Sequence, residues 1–292
     1  MGYRLFDGAC DYGNEEQVGA GLKRAMDEGI VTRQELFIVS KLWNTFHHPD
    51  HVEMAIKKTL ADLGLDFVDL YLIHFPIPMK FVPIETKYPP EWIDDETAAQ
   101  GQPRMLMQEN VTYQQTYQAM EAVQQKGLTR SIGMCNIGTS MVRQVLAYAT
   151  VKPAVLQVEI HPYNTQEILI KYCKQQGIAV MAFSNLGSAA YVGIGRAVEA
   201  EAPMLRPEVT AIASAVGKTP AQVLLRFAVQ RGTTCIPKSN SLDRVRENFA
   251  LWDFTLNDEQ MASILSMNMD RRFNNPDVMC EEIFGYFCPV YA

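Results

Sequence analysis

Residues capable of acid–base chemistry lie close together near the start of the chain, in the stretch FDGACDYGNEE at positions 6–16. Asp7 ends a short strand-like run, and Tyr12 follows five residues later, directly before a Gly-Asn turn signal. An unperturbed tyrosine has a pKa near ~10 and has no acid–base use at neutral pH. If this tyrosine donates a proton, a neighbouring cation must lower its pKa.

Lys41 is the candidate cation, because it comes near the end of a second apolar run at 36–42. We expect the Lys41 ammonium to contact the Tyr12 hydroxyl and Asp7 to hold that lysine charged and oriented. His74, near the end of a third apolar run, can orient a substrate carbonyl or join in proton transfer. Each residue alone has a structural alternative: Tyr12 as a half-buried core aromatic, Lys41 as a solvated strand end, and His74 as a strand cap.

Short apolar runs alternate with amphipathic helical segments along the whole chain. Seven runs are predicted to be strands: 4–7, 36–42, 68–75, 131–136, 155–160, 179–185 and 235–239. Continuous apolarity indicates strands buried on both faces, hence parallel strands. Repeated β–α units indicate a doubly wound sheet or a closed barrel. The barrel is favoured because no Gly-x-Gly-x-x-Gly fingerprint follows a strand.

Helices are predicted between these strands, and one long insertion interrupts the alternation. The helical segments are 14–29, 51–64, 112–127, 140–150, 166–177, 220–232 and 242–252. The insertion covers roughly residues 76–111, where prolines forbid regular structure. Long loops in compact domains are usually functional or mobile, so this segment is a candidate wall or lid of a site.

In a parallel barrel, the carboxyl ends of the strands converge on one mouth. The residues read at those ends are Asp7, Lys41, His74, Asn136, Gln157, Ser184 and Lys238. A closed barrel of this kind needs eight strands, so the missing strand would lie upstream of residue 1. We therefore expect one barrel domain over residues 1–292 that is incomplete at its N-terminus and folds poorly by itself.

Composition and charge exclude several classes of partner. The formal net charge of −7 argues against a nucleic-acid surface or an anionic membrane patch. No apolar run reaches the ~18–20 residues that span a bilayer, and no basic-then-apolar leader is present. The six cysteines are scattered without metal-ligand spacing, which predicts free thiols, no metal site, and a reducing, cytoplasmic location.

Several stretches together resemble the aldo-keto reductase superfamily, in order and over nearly the whole chain. They are FDGACDYGNEEQVGAGL, VSKLW, DLYLIHFP, SIGMCN, PAVLQVEIHPY and IPKSNSLDRVREN. Other sequence segments, including RRFNNP, are most similar to those of the D-xylose (aldose) reductases, with sugar-phosphate aldehyde reductases as close relatives. The resemblance implies a (β/α)8 TIM-type barrel, of which only seven strands are countable here. It also implies NADPH, with NADH as a possible substitute, and a small sugar or aldehyde substrate.

The resemblance also implies the roles of individual residues. The catalytic set is Asp7, Tyr12, Lys41 and His74, with Tyr12 as the proton donor. Cofactor contacts are implied for Cys135, Asn136 and Gln157 at the nicotinamide amide, Phe183 on the ring, Ser184, Leu186 and Ser188 at the pyrophosphate, and Lys238, Ser239, Asn240, Arg244, Glu247 and Asn248 at the adenosine. The basic pair Lys238 and Arg244 suits a 2′-phosphate. The substrate positions are Asp11, Trp43, Phe75 and Asn274.

Three departures from the family pattern keep alternatives open. Cys135 stands where serine is common, Phe183 stands where tyrosine is usual, and the usual N-terminal segment with the first strand is absent. The chain is therefore either an incomplete form of an active reductase or a chain that is unstable or impaired. The alternative functions are a sugar-phosphate aldehyde reductase, for which Lys80, Lys87 and Arg104 could supply charge, and a nicotinamide-binding regulatory or structural module. A monomer or a homodimer fits either function.

Overall fold

The structure, a computed structural model, describes residues 1–99, 102–108 and 110–291. Contacts divide the chain into two compact units. The first unit comprises Gly2–Ala154 together with the C-terminal residues from Pro276 onward, and the second comprises Val155–Asn275.

Four parallel strands form the sheet of the first unit: β1 (Leu5–Asp7), β2 (Phe37–Leu42), β3 (Val68–Ile73) and β4 (Thr129–Cys135). Each strand pairs with the next one along the chain. Val39 lies opposite both Asp7 on one side and Leu70 on the other. All of β3 is buried, as its continuous apolar sequence predicts.

The helices of the first unit are α1 (Glu15–Asp27), α2 (Pro49–Leu63), α3 (Tyr113–Gln125) and α4 (Thr139–Tyr148). Proline at the first position starts α2, and Gly64 in the left-handed conformation ends it. Gly19 is required where α1 crosses the end of α2, because a β-carbon there would lie 2.5 Å from the Leu63 carbonyl oxygen. This close approach fixes α1, which begins three residues after Tyr12.

Three parallel strands form the sheet of the second unit: β5 (Val155–Glu159), β6 (Ala179–Phe183) and β7 (Thr234–Cys235). Its helices are α5 (Glu167–Gln175), α6 (Ala189–Val192), α7 (Pro207–Val216), α8 (Pro220–Gln230), α9 (Leu242–Phe249) and α10 (Asp258–Leu265). A last helix, α11 (Asp277–Phe284), belongs to the first unit. None of the helices described is long and apolar enough to cross a membrane.

The seven predicted strands are all present in the described residues, but three details of the prediction are wrong. β7 has only two residues, so Lys238 lies three residues beyond its end rather than on it. β1 is not buried on both faces, since Phe6 is 38% exposed. Gln157 is also misplaced, because it lies in the middle of β5 and not at its carboxyl end.

The seven predicted helices are present within a few residues of their expected ends, and α6, α7, α10 and α11 were missed. The signal for α10 was available, because Asn257 and Gln260 form a capping box before it. The insertion at 76–111 contains no helix or strand among its described residues, as predicted. An isolated bridge joins Met79 to Met107, while residues 100, 101 and 109 of the insertion lie outside the described part.

A buried ionic cluster ties together the amino ends of β2, β3 and β4. Asp69 is 1% exposed and pairs with Arg33 at 2.8 Å and with Arg130 at 2.9 Å. It also accepts a hydrogen bond from the Ile38 backbone N–H at 2.9 Å. Both guanidinium groups lie over the Phe67 ring, at 4.1 and 4.4 Å from its centre.

We expect Asp69→Ala to lower the free energy of unfolding by about 3–5 kcal/mol, because it leaves the largely buried Arg33 guanidinium, whose side chain is 14% exposed, without its partner. Urea unfolding followed by circular dichroism measures this loss. Asp27→Ala is the matched control, since Asp27 pairs with Lys23 on the exposed face of α1, where ion pairs contribute little. Equal losses for the two variants would contradict the prediction.

Candidate active site

The Lys41 side chain is fully buried, and its ammonium group has three acceptors. Its Nζ donates to Asp7 Oδ2 at 2.7 Å, to the Gly8 carbonyl oxygen at 2.8 Å and to the Tyr12 hydroxyl at 3.2 Å. A lysine ammonium has three N–H bonds, so these contacts use all of its donors. The structure thus brings together Asp7, Lys41 and Tyr12, as the sequence predicts.

Local geometry explains how a residue five positions after β1 reaches a lysine on β2. Pairing of β1 with β2 continues one residue past the strand, where the Gly8 N–H donates to the Val39 carbonyl at 2.9 Å. A single 3-10 turn, Cys10–Tyr12, then reverses the chain, and Gly13 ends it at φ 63°. This turn returns the Tyr12 hydroxyl to the end of β2.

The pKa of Lys41 is raised, so its ammonium form is secure at neutral pH. Burial alone lowers the pKa, but the negative charge that Tyr12 carries when it is ionised and the charge of Asp7 together outweigh burial. The prediction for Tyr12 was wrong in direction. Burial of the hydroxyl end raises the pKa of Tyr12 more than the Lys41 ammonium lowers it, although half of the tyrosine surface remains exposed. The phenol is therefore protonated at neutral pH.

His74 lies directly after β3, is 7% exposed, and contacts the rings around Tyr12. Its ring centre lies 5.9 Å from that of Tyr12, 5.2 Å from Trp43 and 5.0 Å from Phe75. Burial and, secondarily, the Lys41 charge hold the pKa of His74 well below its usual range. The imidazole is neutral, and its buried Nδ1 has no hydrogen-bond partner among the described residues.

Trp43 and Phe75, two predicted substrate residues, form an aromatic cluster with Trp92. The ring of Trp92 lies 5.0 Å from Trp43 and 5.1 Å from Phe75, both edge to face. The Trp43 indole N–H donates to the Glu91 carbonyl at 2.9 Å. Sequence reasoning named the insertion as a wall of the site but did not single out Trp92, whose signal was an aromatic among prolines in YPPEW.

Asp11, another predicted substrate residue, is half-buried in the turn that carries Tyr12. Burial, followed by the charge of Glu91, raises the pKa of Asp11 to about 7, while Lys41 lowers it. This carboxyl therefore changes its protonation state near neutral pH.

Cys135 and Asn136 end β4 in the first unit and are almost fully buried. Asn136 has a left-handed backbone at φ 58°, and its Nδ2 donates to the His74 carbonyl at 2.8 Å. Its Oδ1 accepts a hydrogen bond from the Tyr291 hydroxyl at 2.9 Å, a contact that the sequence did not suggest. Burial raises the pKa of the Cys135 thiol, which is therefore uncharged.

The residues predicted for the nicotinamide ring and the pyrophosphate lie in the second unit. The Gln157 amide donates to the Met181 sulfur at 3.0 Å. Ser184 has a left-handed backbone, and its hydroxyl lies 2.7 Å from the Tyr191 hydroxyl. The Ser188 hydroxyl is fully buried without a partner among the described residues. Phe183 and Leu186 are half-buried on the same segment.

The predicted adenosine-site residues extend from the loop before α9 to the last turn of that helix. Ser241 is the N-cap of α9, and its hydroxyl accepts a hydrogen bond from the Arg244 backbone N–H. The Glu247 carboxylate accepts a hydrogen bond from the Thr219 hydroxyl at 2.6 Å. The remaining residues of this group are Lys238, Asn240 and Arg244, which are exposed, Ser239, which is half-buried, and Asn248, which is buried.

Asn274, the last predicted substrate residue, belongs to the second unit and lies beyond α10 in an irregular segment. It is half-buried, and its backbone N–H donates to Glu159 Oε2 at 2.9 Å. Glu159 was not among the residues named from the sequence.

Comparison with known proteins points to one family. The profile of the Aldo/keto reductase family matches residues 1–268. The chain is 48% identical to an NADPH-dependent D-xylose reductase of Meyerozyma guilliermondii, over 94% of this chain and 86% of the relative. It is 47% identical to an NAD(P)H-dependent D-xylose reductase of Scheffersomyces stipitis, over 94% of this chain and 85% of the relative.

A solved structure supports the same assignment. The Bombyx mori aldo-keto reductase in complex with NADP is 36% identical, with a TM-score of 0.80 over 98% of this chain and 85% of that one. This likeness confirms the predicted fold class, the α/β TIM-type barrel of aldo-keto reductase type.

We expect the raised pKa of Asp11 to make stability depend on pH. The folded chain binds this proton more tightly than the unfolded chain, whose carboxyl titrates near its ordinary 3.8. The free energy of unfolding therefore falls as the pH rises from about 4 to about 7, by at most about 1.4 kcal/mol per pH unit.

Urea unfolding at a series of pH values measures this slope in the wild type and in Asp11→Asn, which should lack the Asp11 contribution. Asp50→Asn is the control, because the Asp50 side chain is exposed at the start of α2. An unchanged slope in Asp11→Asn would contradict the assignment.

Proposed function

This chain belongs to the aldo/keto reductase family, and we propose that it uses NADPH to reduce an aldose such as D-xylose to the polyol. The observation that carries the proposal is the buried ammonium of Lys41 between Asp7 and the Tyr12 hydroxyl. A phenol whose hydroxyl contacts a buried ammonium with this hydrogen-bonding pattern is suited to proton donation.

The residues assigned to the cofactor fit a pyridine nucleotide phosphate. The buried Ser188 hydroxyl, unpartnered among the described residues, is a donor suited to a pyrophosphate oxygen. Lys238 and Arg244 are exposed cations near the start of α9, which favours a 2′-phosphate and therefore NADPH over NADH. When bound, NADPH supplies the hydride that the carbonyl carbon receives.

Tyr12 donates the proton to the carbonyl oxygen of the aldose. Its raised pKa keeps the phenol protonated at neutral pH until an alkoxide, a much stronger base, develops on the substrate. The Lys41 ammonium then stabilises the tyrosinate, and Asp7 holds that ammonium in place. Hydride on carbon and proton on oxygen together convert the carbonyl to an alcohol.

His74 orients the carbonyl, and the aromatic cluster shields it from water. A neutral imidazole can donate one hydrogen bond without adding a charge that would repel Lys41. Trp43 and Phe75 are 0% and 5% exposed, so solvent hardly reaches their rings. Asp11 and Asn274 are assigned to the sugar hydroxyls.

The basic residues of the insertion favour an unphosphorylated aldose over a sugar phosphate. Lys80 pairs with Asp94 at 3.5 Å, Lys87 with Glu91 at 3.0 Å, and Arg104 with Glu96 at 2.8 Å. Each charge is thus offset by a carboxylate of the same insertion. A cytoplasmic location, a monomeric or homodimeric state and a single domain over residues 1–292 stay predictions from the sequence.

We expect Tyr12→Phe to lower kcat for D-xylose by about 10²- to 10⁴-fold, the usual contribution of a general acid. The Kd for NADPH should not change, because the ring and its packing remain. NADPH oxidation at 340 nm measures kcat, and quenching of tryptophan fluorescence measures Kd.

The matched control is Tyr286→Phe, since Tyr286 is exposed beyond α11. Binding of NADPH without turnover of any aldehyde by the wild type would instead favour the regulatory or structural module. Full activity in Tyr12→Phe would exclude Tyr12 as the proton donor.

A further inference from the structure

A buried carboxylate in the second unit lies at the carboxyl end of β5. Glu159 is 1% exposed and accepts three hydrogen bonds. Its Oε1 accepts from His161 Nε2 at 2.7 Å and from the Phe273 backbone N–H at 2.7 Å. Its Oε2 accepts from the Asn274 backbone N–H at 2.9 Å. No step of the proposed reaction uses this group.

The hydrogen bonds of His161 fix its tautomer. Its Nδ1 accepts from the Tyr163 backbone N–H at 3.3 Å, so Nε2 carries the hydrogen that Glu159 accepts. The Asn164 amide also donates to the Glu159 carbonyl at 3.0 Å, which holds the strand end from the other side. The carboxylate is therefore held rigidly, and its charge is offset by N–H donors.

The segment that Glu159 holds, around Phe273 and Asn274, is not part of a helix or a strand. Two earlier backbone groups of this segment, the N–H of Met269 and of Arg271, donate to the Tyr163 carbonyl. The N–H groups of Phe273 and Asn274 both depend on Glu159, 114 and 115 positions away. Without the carboxylate, two backbone donors lose their acceptor just where Asn274 leaves the core.

The side chain of Phe273, whose backbone Glu159 holds, packs against two neighbouring aromatic rings. The Phe273 ring is 2% exposed and lies 5.0 Å from the His161 ring and 5.9 Å from the Tyr191 ring. Asn274 is the next residue and is only half-buried. The partly exposed side chain of Asn274 thus directly follows the buried, closely packed side chain of Phe273.

We propose that Glu159 is a positioning residue that fixes Asn274 and so sets the affinity for hydroxylated aldehydes. The inference rests on the proposed function, in which Asn274 binds a sugar hydroxyl. A hydrogen bond to a substrate hydroxyl contributes about 0.5–1.5 kcal/mol, so its loss changes KM by about 2- to 12-fold. An aldehyde without hydroxyl groups cannot lose this contribution.

The test compares D-glyceraldehyde with propanal, which has the same carbon chain without the hydroxyls. In Glu159→Gln, an NH2 group replaces one carboxylate oxygen, and this NH2 cannot accept from a backbone N–H, whereas the remaining amide oxygen can. We expect KM for D-glyceraldehyde to rise by about 2- to 12-fold. KM for propanal and the Kd for NADPH should stay unchanged.

Asn274→Ala is the matched variant and should show the same split between the two aldehydes. Because both changes remove one interaction, the double variant should lose no more than either single variant. Glu159→Asp keeps the charge and shortens the side chain, so the same KM comparison can be made with this variant if Glu159→Gln does not fold. It should raise KM for D-glyceraldehyde alone, by a smaller factor.

Equal increases of KM for both aldehydes, or losses that add in the double variant, would overturn the role of Glu159. The proposed function is tested separately by the wild type. If the wild type reduces neither D-glyceraldehyde nor propanal with NADPH, the proposed function fails, and the role of Glu159 fails with it.

Discussion

Burial of one ammonium group, that of Lys41, is the constraint on which the arrangement of the active site depends. A lone ammonium in an apolar interior costs several kcal/mol, so it must be surrounded by acceptors. Asp7 and Gly8 supply two of them from the end of β1, and Tyr12 supplies the third. The register of β1 against β2, the turn after β1 and the placement of α1 all serve this one arrangement.

The insertion after β3 contributes to the same site through aromatic packing, a backbone hydrogen bond and the charge of a carboxylate. Trp92 packs on Trp43 and Phe75, while the backbone of Glu91 accepts the Trp43 indole N–H. The carboxylate of Glu91 also acts on Asp11 by charge. The segment therefore packs against the candidate site and adds electrostatic potential within it.

The parts of the site that follow from strand register could be predicted from the sequence. Asp7 ends β1 and Lys41 is the last residue but one of the neighbouring parallel strand β2, so the pattern predicts that they lie close together. The direction of the Tyr12 pKa could not be predicted, because it depends on how much of the hydroxyl end is buried. The contact of Glu159 with Phe273 also left no local signal, since 114 positions separate the two residues.

The remaining differences between the prediction from the sequence and the structure have similar causes. Lys238 was assigned to a strand end because CIPKS is apolar at its start, yet pairing with β6 stops at Cys235. Trp92 lies in a segment without periodicity, where no pattern indicates which side chain turns inward. Local patterns thus predicted the elements, whereas contacts made by irregular segments required the structure.

Cys135 shows how a reactive residue type becomes chemically inert through its position. Its side chain is fully buried and its thiol is uncharged, whereas oxidants and alkylating reagents attack the exposed thiolate. A sulfur atom at the end of β4 therefore does not expose the protein to inactivation by peroxide or by electrophilic aldehydes. Toxic carbonyl compounds can be present around such a chain without modifying it at this position.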